Sequence, residues 1–273
     1  MLTLKSPAKI NLFLKIIGRR NDGFHELASL FQAIDIHDTL TFRLSDVDRL
    51  ECNSPSIPRD RSNLIWKAAD LFRNKTGHSF GLHVQLTKRI PIEAGLGGGS
   101  SNAATTLWAI NHLLKDPVSQ SELLTWSSEI GSDLSFFFSS GTAYCTGRGE
   151  IVQSLAPLLP KSLWICKPEY GLSTPEVYRK LCLSNLHSYD PLEVLNDFIA
   201  GNPNYFNDLE KPALSLLQEL QTFKQNLLEQ GFKTVMLSGS GSSFICLDGE
   251  PKAPLGNFAC KTSFLNRSLD SWY

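Results

Sequence analysis

Cysteine is sparse in this 273-residue chain: Cys52, Cys145, Cys166, Cys182, Cys246 and Cys260 are scattered, with no CxxC pair and no histidine at metal-ligand spacing. Neither a metal centre nor a disulfide framework is expected, and the six read as small buried hydrophobes in a reducing compartment. Charge of one sign is equally scarce, since 26 Lys+Arg against 27 Asp+Glu leave a net charge of −1. Proteins that bind nucleic-acid backbones usually carry a clear basic surplus, so nucleic acid is not expected as a partner, although a local basic site is allowed. No apolar run reaches the length of a membrane helix, and Met1–Lys5 leads into an alternating pattern instead of a signal-peptide block. A cytoplasmic protein with no membrane partner is the expectation. With 42% hydrophobic residues and no charge block or glycine period, disorder, collagen and coiled coil are excluded. The length stands near the limit of a single core, so two domains are expected.

Along the chain, Ala8, Ile10, Leu12, Leu14 and Ile16 fall on one face of a strand spanning Lys5–Ile17, with Lys9, Asn11, Phe13 and Lys15 on the other. Asn21-Asp22-Gly23 signals a turn before apolar stretches at Leu27–Ile36 and Thr39–Leu44. Ser62-Asn63 can cap a helix that Gly77 stops, and Phe80–Leu86 alternates as a strand. That strand feeds Pro91-Ile92-Glu93-Ala94-Gly95-Leu96-Gly97-Gly98-Gly99-Ser100-Ser101, after which Ala103, Ala104, Leu107, Ile110 and Leu114 hold helical spacing. Ser119 and Glu122 form a capping box, and Thr142–Val152 reads as a hairpin around Gly147-Arg148-Gly149. A proline-punctuated stretch, Pro157–Pro160, suggests a boundary between domains 1–156 and 157–273. Beyond it the pattern predicts a strand at Leu163–Cys166, a helix opening at Thr174-Pro175, one long helix over Pro212–Gln230, and strands at Val235–Leu237 and Phe244–Leu247.

The strongest chemical signal is strand, glycine-rich loop, helix N-terminus at Gly95–Ser101. Glycines admit a ligand close to the backbone, and the unpaired N–H groups with the positive helix end make an anion site suited to a polyphosphate. The loop lacks the lysine of GxxxxGK[ST] and the third glycine of GxGxxG, so it is neither of those motifs. Its alternative, a surface turn, is disfavoured because linkers seldom join a clean strand to a clean helix. Lys9 beside Asn11 could neutralise charge on a transferred phosphoryl group, yet alone it reads as an ordinary solvated strand lysine. Asp133 could orient an attacking alcohol or simply cap a helix, and the pattern leaves both open. Ser238–Ser243 likewise reads either as a hairpin turn or as a second loop closing over the first glycine-rich loop.

Together these segments resemble a known family. Pro7-Ala8-Lys9-Ile10-Asn11-Leu12, Pro91 through Ala104, and Leu237-Ser238-Gly239-Ser240-Gly241 are similar, in order, to the three motifs of the GHMP kinase superfamily. Asp22-Gly23-Phe24-His25, Gly131-Ser132-Asp133 and Asn207-Asp208-Leu209-Glu210 resemble the branch acting on a cytidine diphosphate derivative of methylerythritol, in non-mevalonate isoprenoid biosynthesis. The resemblance spans nearly the whole chain. It implies an α+β GHMP kinase fold, with an N-terminal ribosomal-protein-S5-domain-2-like domain, a C-terminal ferredoxin-like domain and the active site between them. It further implies Mg²⁺-assisted transfer from ATP to the substrate's 2-hydroxyl, with Lys9 and Asp133 as the catalytic pair and Pro91–Ser101 holding the phosphates; a monomer or weak homodimer is the expectation. Substrate contacts are implied at Asn11, Phe24, His25, Tyr178 and Gly239, with Phe24 and Tyr178 sandwiching the cytosine and His25 bonding its edge. Ser135 replaces the usual proline after Asp133, Phe24 the usual tyrosine, and Ser240 and Ser242 the frequent threonine and alanine. None of these departures removes a catalytic group. The alternatives are a GHMP kinase for homoserine, mevalonate or a sugar, and, on fold kinship alone, a non-catalytic RNA-binding module.

Overall fold

A long antiparallel ribbon organises the first half of the chain. In the computed structural model, which describes residues 1–253 and 255–273, β1 (Leu2–Arg19) pairs with β2 (His25–Ser45) through most of their length. The two expected stretches Leu27–Ile36 and Thr39–Leu44 are thus one strand. β3 (Arg49–Cys52), β4 (Gly81–Thr87), β5 (Thr142–Gly147), β6 (Ile151–Ser154) and the two-residue β8 (Phe206–Asn207) complete a seven-stranded sheet. Its path is β3-β4-β2-β1-β8, with the β5–β6 hairpin attached to β2.

The simple alternation expected for β1 fails at Leu12. A β-bulge between Asn11 and Phe13 inserts one unpaired residue, so everything beyond it changes sides. Phe13 therefore joins Ala8 and Ile10 in one core, whereas Leu14 lines the same cleft as Lys9 and Asn11. Both faces of the strand are covered, which is why Lys9, Asn11 and Lys15 are all buried.

Helices α1 (Leu64–Thr76), α2 (Gly98–Leu113) and α3 (Gln120–Ser127) cover one face of this sheet. The expected caps form: Asn63 accepts from the Ile65 amide, Gly77 takes the left-handed conformation at φ 73, and the Ser119–Glu122 capping box is complete. The second sheet, of order β11-β7-β10-β9, contains β7 (Ser162–Lys167), β9 (Thr234–Leu237), β10 (Phe244–Leu247) and β11 (Phe258–Ser263), all antiparallel. With it come α4 (Thr174–Lys180), α5 (Pro191–Ile199), α6 (Glu210–Leu216) and α7 (Gln218–Glu229).

The single helix expected over Pro212–Gln230 is instead α6 and α7, separated by Leu217 in an extended conformation (φ −143, ψ 101). The Glu210–Lys224 ion pair at 2.5 Å closes across that bend. In an unbroken helix those residues would stand about 21 Å apart. The sheets are not independent, because Ile10 and Phe13 share one apolar core with Leu163, Ile165, Met236 and Ile245. The C-terminal segment also returns to the first sheet: the Leu265 amide donates to Ala33 O at 2.8 Å, and buried Trp272 donates to Lys5 O at 3.0 Å.

Candidate active site

Lys9 projects from β1 into the cleft between the sheets and is 4% exposed. Its ammonium lies 3.1 Å from Asp133 Oδ2, 2.9 Å from Asn11 Oδ1 and 4.5 Å from the centroid of the Phe31 ring. Two of its three donors are thereby occupied, leaving one for a ligand oxygen. Asn11 is held in turn, donating through Nδ2 to Ser29 Oγ at 2.9 Å, and the Ser29 hydroxyl donates to Phe13 O.

Asp133 does not cap a helix. The 3-10 turn Ser135–Phe138 that follows has no side-chain cap, and the carboxylate instead meets Lys9 with 34% of its side chain exposed. The aromatic run behind it is an anchor: Phe136 is fully buried and packs edge-on against Phe31, whose ring also meets Lys9. Ser135, in the place of the usual proline, is buried with its Oγ 3.0 Å from Ser127 Oγ, which ties this loop to the end of α3.

The glycine-rich loop delivers its amides to the start of α2, whose N-cap is Gly97 at φ 67. A side chain there would place Cβ 2.9 Å from Lys9 Cγ, so only glycine lets this loop and the lysine approach each other. Pro91 to Ser100 line a cavity of about 460 Å³ together with Lys9, Asn11, Asn63 and Asp133. Ser101 is the exception. Fully buried behind the loop, it lies with its Oγ 2.7 Å from the Ser6 hydroxyl and is not available to a ligand in this arrangement.

Ser238–Ser243 is both things its sequence allowed. It turns between β9 and β10, and it also fastens to the first loop, with the Ser242 amide donating to Glu93 O (3.3 Å), the Ser243 amide to Ala94 O (3.2 Å) and Ser238 Oγ to Gly95 O (3.1 Å). Gly239 thereby faces Asn11 and Lys9. The Asn207-Asp208-Leu209-Glu210 segment supports it: Asn207 Nδ2 donates to Leu237 O and Gly239 O, and Glu210 accepts from the Leu237 amide.

A second cavity of about 720 Å³ continues from the first, sharing Asp133, Arg148, Thr174 and Tyr178 with it. Phe24 and His25 stand on its wall, so the expected aromatic residues do converge. Their arrangement differs from a ready sandwich of Phe24 and Tyr178. His25 itself stacks on Tyr178 at 5.1 Å and 29°, while Phe24 is 54% exposed with the Arg148 guanidinium 5.0 Å above its ring. Burial, then the charge of Arg19, holds the His25 imidazole below its ordinary value of 6.5, and burial followed by Asp133 pushes the Tyr178 phenol up.

Two residues of the cleft escaped the sequence reading. Lys88 pairs with fully buried Asp38 at 2.6 Å and donates to Ile90 O at 2.7 Å, beside the N-terminus of α2. A charge ending an alternating strand just before a glycine-rich loop was the available signal. Arg148 had none beyond its place at a hairpin tip.

A glycine-rich helix start, a buried lysine against a partly exposed aspartate, and a cleft between two joined sheets are what a small-molecule kinase of the GHMP class requires. The sequence signature of the GHMP kinases N terminal domain matches residues 63–141, and the fold is the α+β GHMP kinase fold, with its S5-domain-2-like and ferredoxin-like parts. The crystal structure of the homoserine kinase from Cytophaga hutchinsonii shares that fold with a TM-score of 0.67 at 19% identity, over 97% of this chain and 95% of its own. A crystal structure of 4-(cytidine 5'-diphospho)-2C-methyl-D-erythritol kinase reaches 0.81 at 33% identity, over 97% of this chain and 100% of that one. In sequence, the 4-diphosphocytidyl-2-C-methyl-D-erythritol kinase of Protochlamydia amoebophila is 54% identical over 273 residues, all of this chain and 93% of that protein. The chloroplastic enzyme of Arabidopsis thaliana is 46% identical over all of this chain and 76% of its own. The chain belongs to the 4-diphosphocytidyl-2-C-methyl-D-erythritol kinase family and is an ATP-dependent kinase.

Proposed function

We propose that this enzyme transfers the γ-phosphoryl group of ATP to the 2-hydroxyl of 4-diphosphocytidyl-2-C-methyl-D-erythritol, in non-mevalonate isoprenoid precursor synthesis. The observation that carries the reading is the Lys9–Asp133 pair, 3.1 Å apart where the glycine-loop cavity meets the aromatic-lined one. ATP phosphates sit on the amides at the start of α2, the cytidine lies among Phe24, His25 and Tyr178, and the alcohol reaches Asp133. There the carboxylate accepts or orients the hydroxyl proton, while Lys9 holds the carboxylate in place and stabilises charge on the moving phosphoryl oxygens. Asn11 and Gly239 flank the reacting oxygen.

Mg²⁺ fits as an ion carried largely by the nucleotide. Among the described residues no group of three carboxylate, histidine or cysteine ligands converges, and Mg²⁺ commonly keeps waters and phosphate oxygens with one or two carboxylates. Glu93 and Asp133 are the carboxylates on the phosphate-cavity wall. Bound there, the ion would neutralise phosphate charge. Residues 1–156 and 157–273 act as two lobes joined by the shared core, the second lending β8 and its C-terminal segment to the first sheet, in a cytoplasmic monomer or weak homodimer working on these two small molecules.

ADP release tests the reading directly. It should depend on the cytidine diphosphate substrate and be absent with methylerythritol phosphate. Asp133→Asn and Lys9→Met should each lower kcat by about 10²–10⁴-fold with ATP binding retained. Near-normal turnover in either variant would remove the role given to it.

A further inference from the structure

Arg148 is unassigned by the motifs above, yet it stands on the wall of both cavities. It follows Gly147 (φ 72) at the tip of the β5–β6 hairpin. Its amide donates to Glu150 Oε2 at 2.6 Å and its Nε lies 3.5 Å from Glu150 Oε1, so the same carboxylate bonds its backbone and pairs with the stem of its side chain. Among the described residues its two terminal nitrogens have no hydrogen-bond acceptor. The guanidinium covers the Phe24 ring at 5.0 Å, and the next residue, Gly149, abuts Asp133, with a Cβ there falling 3.4 Å from Oδ1. Along this wall the order is therefore aromatic ring, cationic fork, catalytic carboxylate.

A cytidine diphosphate alcohol has its groups in the same order: base, diphosphate, hydroxyl. We propose that Arg148 grips the diphosphate of the substrate through its terminal nitrogens, setting the distance at which the alcohol meets Asp133. A planar guanidinium with both terminal nitrogens free of protein acceptors suits bidentate bonding to phosphate oxygens. Arg19 and Arg179 line the same cavity from exposed positions, and Arg179 is engaged with Glu176 and Pro175 O. They add positive potential without the tether. The proposal rests on the substrate being a cytidine diphosphate derivative.

Binding of CDP and of cytidine to the full chain, with steady-state kinetics of wild type, Arg148→Gln and Arg148→Lys, tests it. Arg148→Gln should raise the Kd for CDP and the KM for substrate about 10–100-fold, leaving cytidine binding and the KM for ATP within about twofold. Arg148→Lys should recover part of the loss, since it restores charge without the fork. Equal weakening of cytidine and CDP would mean that Arg148 only props the Phe24 ring, and the proposal would fail. A fall in kcat at unchanged substrate KM would place its action on the transferred phosphoryl group and overturn the proposal as well. If wild type bound neither CDP nor cytidine, the cytidine reading itself would fall and this proposal with it, a result distinct from both others.

Discussion

One added methyl group, in Gly95→Ala, tests whether the two glycine-rich loops form a single structural unit that shapes the phosphate site. A Cβ on Gly95 would lie 1.9 Å from Ser238 O, whereas ordinary contact begins at 3.4 Å, so that carbonyl must retreat by about 1.5 Å. Retreat breaks the Ser238 Oγ bond to Gly95 O and pulls on the Ser242 and Ser243 amides bonded to Glu93 O and Ala94 O. Gly95 also holds φ 71, where an alanine is disfavoured. Loss of two or three hydrogen bonds at about 1 kcal/mol each, plus about 1–2 kcal/mol for the left-handed backbone, gives a destabilisation of about 3–5 kcal/mol. Gly201→Ala is the control, because Gly201 has φ 85 and no neighbour within 4 Å of a Cβ. It should lose only the backbone part, about 1–2 kcal/mol. Urea unfolding gives both stabilities, and ATP titration of the initial rate gives KM. Gly95→Ala should be the less stable of the two and raise the KM for ATP, which Gly201→Ala should leave alone. The reasoning is refuted if the two variants lose equal stability, or if Gly95→Ala keeps a normal KM for ATP.

Other predictions concern protonation and the support beneath the site. His25 is held below 6.5 by burial and by Arg19, so as pH falls the unfolded chain takes up its proton first. Its contribution to stability is then intact above pH 6.5 and declines below it, towards the folded value, whereas base-binding depends on the folded imidazole alone and is lost as pH falls through that lower value. The KM for the cytidine substrate should rise over that window in wild type and stay flat in His25→Asn, and matching profiles would clear His25 of a base contact. Buried Asp208 accepts from the Ile16 amide (2.8 Å), the His187 amide (3.1 Å) and His187 Nδ1 (2.6 Å), and meets Lys15 at 3.3 Å. Asp208→Ala should cost about 3–5 kcal/mol in urea unfolding by leaving those donors and Lys15 unpaired, and a loss under 1 kcal/mol would contradict so central a place for it.

Elements whose reasons are local were legible in the sequence. The Asn63 cap, the Gly77 stop, the Ser119–Glu122 box and the hairpin at Gly147–Gly149 form where the residues predict them. Features set by distant partners were not. The bulge at Leu12 belongs to the register of β1 against β2, and the break at Leu217 brings Glu210 against Lys224, a pairing that no local pattern records. Ser101, which looked like part of the phosphate loop, turned inward because Ser6 on β1 offers its Oγ a buried partner.

The sequence by itself determined the chemistry available: glycines that admit close approach to the backbone, a helix start with unpaired amides, one lysine and one aspartate within the motifs, and the motif order that marks the kinase family. Those properties belong to residue types and near neighbours, so they survive in a string of letters. The tertiary structure decided the rest. It brought Lys9 to 3.1 Å from Asp133 across 124 positions of chain, fastened the loop at Ser238 onto that at Gly95, and put the hairpin tip at Arg148 between Phe24 and Asp133. Such juxtapositions depend on sheet register and shared packing, in which each contact is fixed by many others at once.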